Sequence, residues 1–204
     1  KWGKSCAQIS KAIEKVKPEA RTVARDSIIT ASLSGGKEAL KLEKAVTYLF
    51  RNIGFNESFH TGNKVAKARD GAYPDIYIKA STSSICGWGD TKATIKYNFS
   101  LQDREKLGSY YKDSSEEIDR TVPCKYFVYI AAGFHGRKDT IDALLRNASE
   151  KFARPVSAVT VRALLDLEEQ VREGTLVDVV ASVEEAFQKG ALYVSASDVL
   201  LATK

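Results

Sequence analysis

The sequence predicts an α/β sandwich, a mixed central sheet flanked by helices on both faces. Three observations predict it. Apolar residues recur at helical spacing through the first third of the chain. Two short alternating runs follow, separated by a polar turn, and then comes a nearly continuous apolar run at 124–132 set between amphipathic stretches.

The elements follow in order. Ala7, Ile9, Ala12, Ile13 and Val16 have helical spacing, and Lys17-Pro18 ends that segment. A second helix fits 21–33, closed by Gly35-Gly36. The third and clearest spans 37–52, with Leu40, Ala45, Leu49 and Ile53 expected inward and Gly54 as its stop. Residues 56–71 are polar and read as a loop carrying Lys64, Lys67 and Arg69. Residues 73–80 alternate like a strand, and 85–93 form another across the Ser/Thr turn at 81–84. An amphipathic helix at 101–112 and a polar loop at 113–121 precede the buried strand at 124–132. Helix 137–152, a strand at 156–159 and helices at 160–173 and 178–189 complete the body, and 192–204 adds a strand and a short helix.

The 204 residues fit one domain able to bury a sizeable core. At 44% apolar and 28% charged, the composition is that of a soluble globular protein, and no apolar stretch is long enough to span a bilayer. The first residues do not read as a signal peptide. The chain holds no Met at all and reads as a fragment of something longer. A net charge of +5 permits contact with nucleic acid without establishing it. Cys6, Cys86 and Cys124 lack metal-type spacing and read as buried free thiols. With only His60 and His135, a zinc- or histidine-based nuclease is hard to build. His60 reads as a surface or structural histidine, with DNA contact as the alternative.

The pattern that carries chemistry is Pro74-Asp75 on one predicted strand and Gly89-Asp90-Thr91-Lys92 on the next. Residues i and i+2 of a strand share a face, so Asp90 and Lys92 project together while Thr91 points away. A paired strand could bring Asp75 to the same spot. Two carboxylates and the Thr91 carbonyl would offer a hard cation three oxygens, with Lys92 beside the attacking water. The bland alternative is a turn at Pro74-Asp75 and a solvated strand face. Gly87 and Gly89 suit close backbone approach near the acids. Lys64, Lys67 and Arg69 could grip phosphates beside such a centre.

Around these residues the chain resembles a known family. Leu42-Glu43 opens the helix before Gly54-Phe55, Pro74-Asp75 follows a basic Gly-containing loop, and Asp90-Thr91-Lys92-Ala93 forms the catalytic strand. Tyr97-Asn98, Gln102, the strand entering Gly133-Phe134, and Gly174-Thr175-Leu176 come in matching order. From about residue 42 to 192 the chain looks like the FokI-type cleavage domain of type IIS restriction endonucleases, within the PD-(D/E)xK superfamily.

The resemblance implies metal ligation by Asp75 and Asp90, a catalytic Lys92 and a supporting acid at Glu43. It implies Mg²⁺ as cofactor, with Mn²⁺ substituting, and duplex DNA as substrate. It also implies a recognition domain or subunit outside this chain, in a bacterial cytoplasm and away from membranes. Transient pairing of two cleavage domains would use helices near 101–112 and 137–149, where Asp103, Arg104, Lys106 and Arg146 are candidate contributors. The single cleavage domain would cover 1–204, with 1–36 as an N-terminal helical segment and 193–204 as a C-terminal extension. Alternatives are a nicking or repair nuclease of the same superfamily, or a catalytically silent DNA-binding or assembly module.

Overall fold

A computed structural model describes residues 23–61, 74–100, 107, 122–176 and 178–202. The expected helix over 7–16, the basic residues Lys64, Lys67 and Arg69, Cys6, the loop 113–121 and most of the helix at 101–112 lie outside the described residues.

Helix α1 runs through 23–32 and α2 is Ala39–Ile53. Six strands form one sheet in sequential order: β1 Phe59–His60, β2 Ile76–Ile78, β3 Cys86–Lys92, β4 Cys124–Ala131, β5 Val156–Thr160 and β6 Leu192–Tyr193. The β1–β2 and β2–β3 pairs are antiparallel, whereas β3 through β6 run parallel, so the sheet is mixed as expected. Helices α3 Lys138–Phe152, α4 Val161–Arg172, α5 Val179–Phe187 and α6 Ala196–Leu201 provide the remaining connections and cover.

Strand β4 shows why two layers of helix are needed. Its alternate residues Tyr126, Val128 and Ile130 enter one core with α1, α2, α4, α5 and α6. The intervening Phe127, Tyr129 and Ala131 enter a second core with α3, Trp88, Tyr97 and Leu107. A strand buried on both faces must be apolar at every position, which is why 124–132 read as a continuous run. Arg25 adds ion pairs from α1 to Asp166 and Glu169 on α4. Thr160 caps α4 by accepting a hydrogen bond from the Ala163 amide.

Three expectations need correction. The buried stripe of α2 is Leu42, Val46, Leu49, Phe50 and Ile53, whereas Leu40 is 53% exposed and Ala45 only half-buried. Leu40 lies two residues from Leu42, about 200° around the helix, so one apolar stripe cannot include both. Strand β1 falls within the segment read as a loop; two residues among polar neighbours carry no period for a strand to show. Cys86 is buried, but Cys124 at the sheet end is half-buried; both are free thiols. Apart from these, Tyr193, Ala196 and Val199 belong to the main core.

Candidate active site

The register of the antiparallel β2–β3 pair builds the site. Ile76 lies opposite Gly89 and Tyr77 opposite Trp88. Continued by one residue, this register sets Asp75 across from Asp90. Thr91 ties the two strands by donating to Asp75 Oδ2 twice, through its amide at 2.7 Å and its hydroxyl at 3.0 Å. Strand alternation puts the Thr91 side chain on the face away from Asp90 and Lys92, yet it still meets Asp75, which sits at the sheet margin. Thr91 therefore holds an acid in place, a contact that face alternation alone did not suggest.

Lys92 closes β3 with its ammonium 2.8 Å from Asp90 Oδ2. The same ammonium lies 5.4 Å from the ring centroid of Tyr97 and 6.0 Å from that of Tyr129. Two electron-rich faces and one carboxylate thus fix a side chain that otherwise has four free rotors. Tyr97 is itself anchored, since its amide donates to the Gly133 carbonyl at 2.8 Å and its carbonyl accepts from the His135 amide at 2.8 Å.

Glu43 reaches the site from α2. Its Oε2 lies 2.5 Å from His60 Nε2, and its charge opposes ionisation of Asp75. His60 is only 9% exposed, and its Nδ1 finds no partner among the described residues. Its neighbour Thr61 donates its amide to the Asp75 carbonyl at 3.0 Å and its hydroxyl to the Pro74 carbonyl. The end of β1 therefore grips both Glu43 and the Pro74-Asp75 turn.

The electrostatics follow from crowding acids in a partly dry place. Burial raises the Asp75 carboxyl above its ordinary range, and the Glu43 charge adds to the effect. Burial and then the neighbouring Asp75 push Asp90 up to about 8, and Lys92 only partly opposes this. The two aspartates also share a hydrogen bond, and both carboxyls are raised, so the extra proton belongs to the pair. A pair of carboxylates that binds a proton this readily has charge to offer a divalent cation. The donors are all hard oxygens, suited to Mg²⁺ or Ca²⁺ rather than a soft metal. Among the described residues no three His, Cys, Asp or Glu side chains converge as a cage. The protein would supply two carboxylates and a carbonyl, and water or phosphate the remaining ligands, as Mg²⁺ prefers.

Asp75, Asp90, Lys92, Thr91 and Glu43 are thus brought together on three elements. Gly87 and Gly89 serve a different purpose from the one expected. A Cβ on Gly87 would lie 1.9 Å from the Tyr126 ring, and one on Gly89 would lie 3.0 Å from Ile130, so both clear room for core side chains. Sequence reasoning missed the roles of His60, Thr61 and Tyr129. His60 at the end of β1 and Thr61 just after it carry no pattern, and Tyr129 looked like any other apolar position of its strand.

Three comparisons bear on this geometry. The family model for the FokI cleavage domain matches residues 4–191. No curated protein matches by sequence. Among solved structures, restriction endonuclease FokI superposes with a TM-score of 0.64 at 18% identity, covering 82% of this chain and 30% of that one. FokI bound to DNA gives 0.65 at 18% identity, covering 95% and 34%. The likeness extends to the fold, and the chain spans about a third of the length of those FokI chains. The resemblance carried by Leu42-Glu43, Pro74-Asp75 and Asp90-Thr91-Lys92 is borne out over nearly the whole chain, which belongs to the FokI cleavage-domain family.

Proposed function

We propose that this domain is a Mg²⁺-dependent DNA endonuclease that hydrolyses phosphodiester bonds of duplex DNA. The observation that carries this reading is Asp75 set opposite Asp90, with the Lys92 ammonium 2.8 Å from Asp90. Asp75, Asp90 and the Thr91 carbonyl would hold the cation, and Mn²⁺ would substitute. When bound, it would supply positive charge against the phosphate and a more acidic water.

The chain's own residues do the rest. Thr91 and Thr61 hold the Asp75 carboxylate and backbone at the sheet margin. Lys92, steadied over Tyr97 and Tyr129, orients the attacking water by donating hydrogen bonds to it; to take that water's proton it must first have given up its own. Glu43 adds a third negative charge beside Asp75. Lys64, Lys67 and Arg69, just ahead of Pro74-Asp75 in sequence, would contact phosphates.

Nothing in the described residues forms a base-reading helix of known type, so specificity would come from a recognition domain or subunit beyond this chain. The match to only about a third of FokI supports that division. Two cleavage domains would pair transiently to cut both strands, and Arg146, exposed on α3, is available to such a contact. No described helix is long and apolar enough to cross a membrane. A bacterial cytoplasm suits the role, and we place the cleavage unit over the whole of 1–204.

The test is plasmid cleavage at high protein concentration in Mg²⁺ or Mn²⁺, comparing wild type with Asp90→Ala. Cutting that vanishes in the variant supports the reading, and the nicked-to-linear ratio separates a nicking enzyme from a paired cutter. Absence of both cutting and any Ca²⁺-induced rise in melting temperature would leave the silent assembly module.

A further inference from the structure

We propose that His60 is a positioning residue for this reaction: its Nε2–H, 2.5 Å from Glu43 Oε2, holds the Glu43 carboxylate where its charge acts on Asp75 and so strengthens divalent-cation binding. The inference rests on the nuclease reading above. A carboxylate oxygen only accepts, so the hydrogen between the two atoms belongs to the imidazole.

Two features separate this from a histidine that merely fills space. First, β1 is two residues long and pairs only with β2, so it adds little to the sheet. What its last residue and the one after it supply is a pair of anchors. His60 grips Glu43, and Thr61 grips the backbone of Pro74 and Asp75. The His60↔Ile76 register places both anchors next to Asp75.

Second, a largely buried polar pair is a poor way to stabilise a core. Removing two polar groups from water costs about as much as their attraction returns, and an apolar side chain at position 60 would pack without that cost. A Glu side chain has three free rotors, and Glu43 keeps 19% of its side chain exposed. Untethered, it would turn toward water and carry its charge away from Asp75. His60 thus acts on the cation indirectly, by keeping the Glu43 charge near the ligand Asp75.

The test is a double-mutant cycle on the whole chain, with Ca²⁺-induced thermal shift and the Mg²⁺ concentration for half-maximal plasmid cleavage as readouts. His60→Leu frees Glu43, and loss of that charge from beside the ligand Asp75 should raise both the Ca²⁺ and the Mg²⁺ requirement about 10-fold, the low end for loss of a group around the ligands. His60→Gln, whose amide N–H can sit near the Nε2 position, should stay within about threefold of wild type on the same scale. On a Glu43→Gln background, His60→Leu should add nothing further. If His60→Leu does not fold, His60→Asn replaces it, because its shorter amide cannot reach Glu43.

Unchanged cation requirements in His60→Leu would overturn the proposal. So would Gln failing as badly as Leu or Asn, or losses that simply add on the Glu43→Gln background. A wild type that neither cuts nor takes up Ca²⁺ removes the nuclease reading and this inference together. A wild type that does both, with His60→Leu unaltered, removes this inference alone.

Discussion

Without metal, this protein should lose stability as pH rises from about 4 to about 8, with Asp90 as a principal cause. The Asp90 carboxyl is 5% exposed, and burial followed by the Asp75 charge moves it from 3.8 to about 8 despite the Lys92 ion pair at 2.8 Å. Its folded-state value is raised, so between those limits the folded chain keeps a proton that the unfolded chain has released. The stabilisation is complete below the unfolded value and is lost as pH climbs through the folded one. One such proton gives a slope of about 1.4 kcal/mol per pH unit, hence a ceiling of about 4 kcal/mol between pH 5 and 8.

Asp75 shares the proton and Lys92 stays in place, so we expect roughly 2–3 kcal/mol, or about 5–10 °C in melting temperature for a chain of this size. The assay is melting temperature in EDTA at pH 5, 6, 7 and 8 for wild type and Asp90→Asn, whose amide does not titrate. The wild-type curve should fall more steeply by that amount. Ca²⁺ should restore stability at pH 8 in wild type but not in the variant. Parallel curves, or a steeper fall in Asp90→Asn, would refute a raised Asp90 carboxyl.

Two further perturbations probe the chemistry and the scaffold separately. Lys92→Ala should reduce cleavage by about 10²-fold or more while the Ca²⁺-induced thermal shift persists, because both acids remain. Cleavage at the wild-type rate would remove Lys92 from the water side of the reaction. Gly87→Ala places a Cβ 1.9 Å from the ring of Tyr126, which is fully buried and has nowhere to go. We expect a loss of about 1–3 kcal/mol, seen as a melting temperature lower by roughly 3–10 °C; an unchanged melting temperature would show that the Tyr126 ring can shift at no cost.

Much of the architecture was legible because periodicity reports burial. The continuous apolar run at 124–132 announced a strand buried on both faces, and β4 is that strand, feeding alternate residues into two cores. The stripe of α2 was harder, since Leu40 is as apolar as Leu42 and only packing against β3 and α4 shows which of them is covered. Strand β1 was not legible at all. Its two residues are placed by pairing with β2, and pairing between distant segments leaves no local mark.

The same division holds at the site. Sequence by itself singled out the candidate groups, Asp75, Asp90, Thr91, Lys92 and Glu43, within the span that the FokI cleavage-domain family matches. Only the tertiary structure decided how those groups are held. The β2–β3 register sets the acids face to face, Tyr97 and Tyr129 steady the lysine, and His60 reaches back to Glu43 across 17 residues of chain. The physical reason is range. Propensity and alternation are set by neighbours along the chain, whereas burial, charge coupling and side-chain contact depend on segments that meet only when the sheet is assembled.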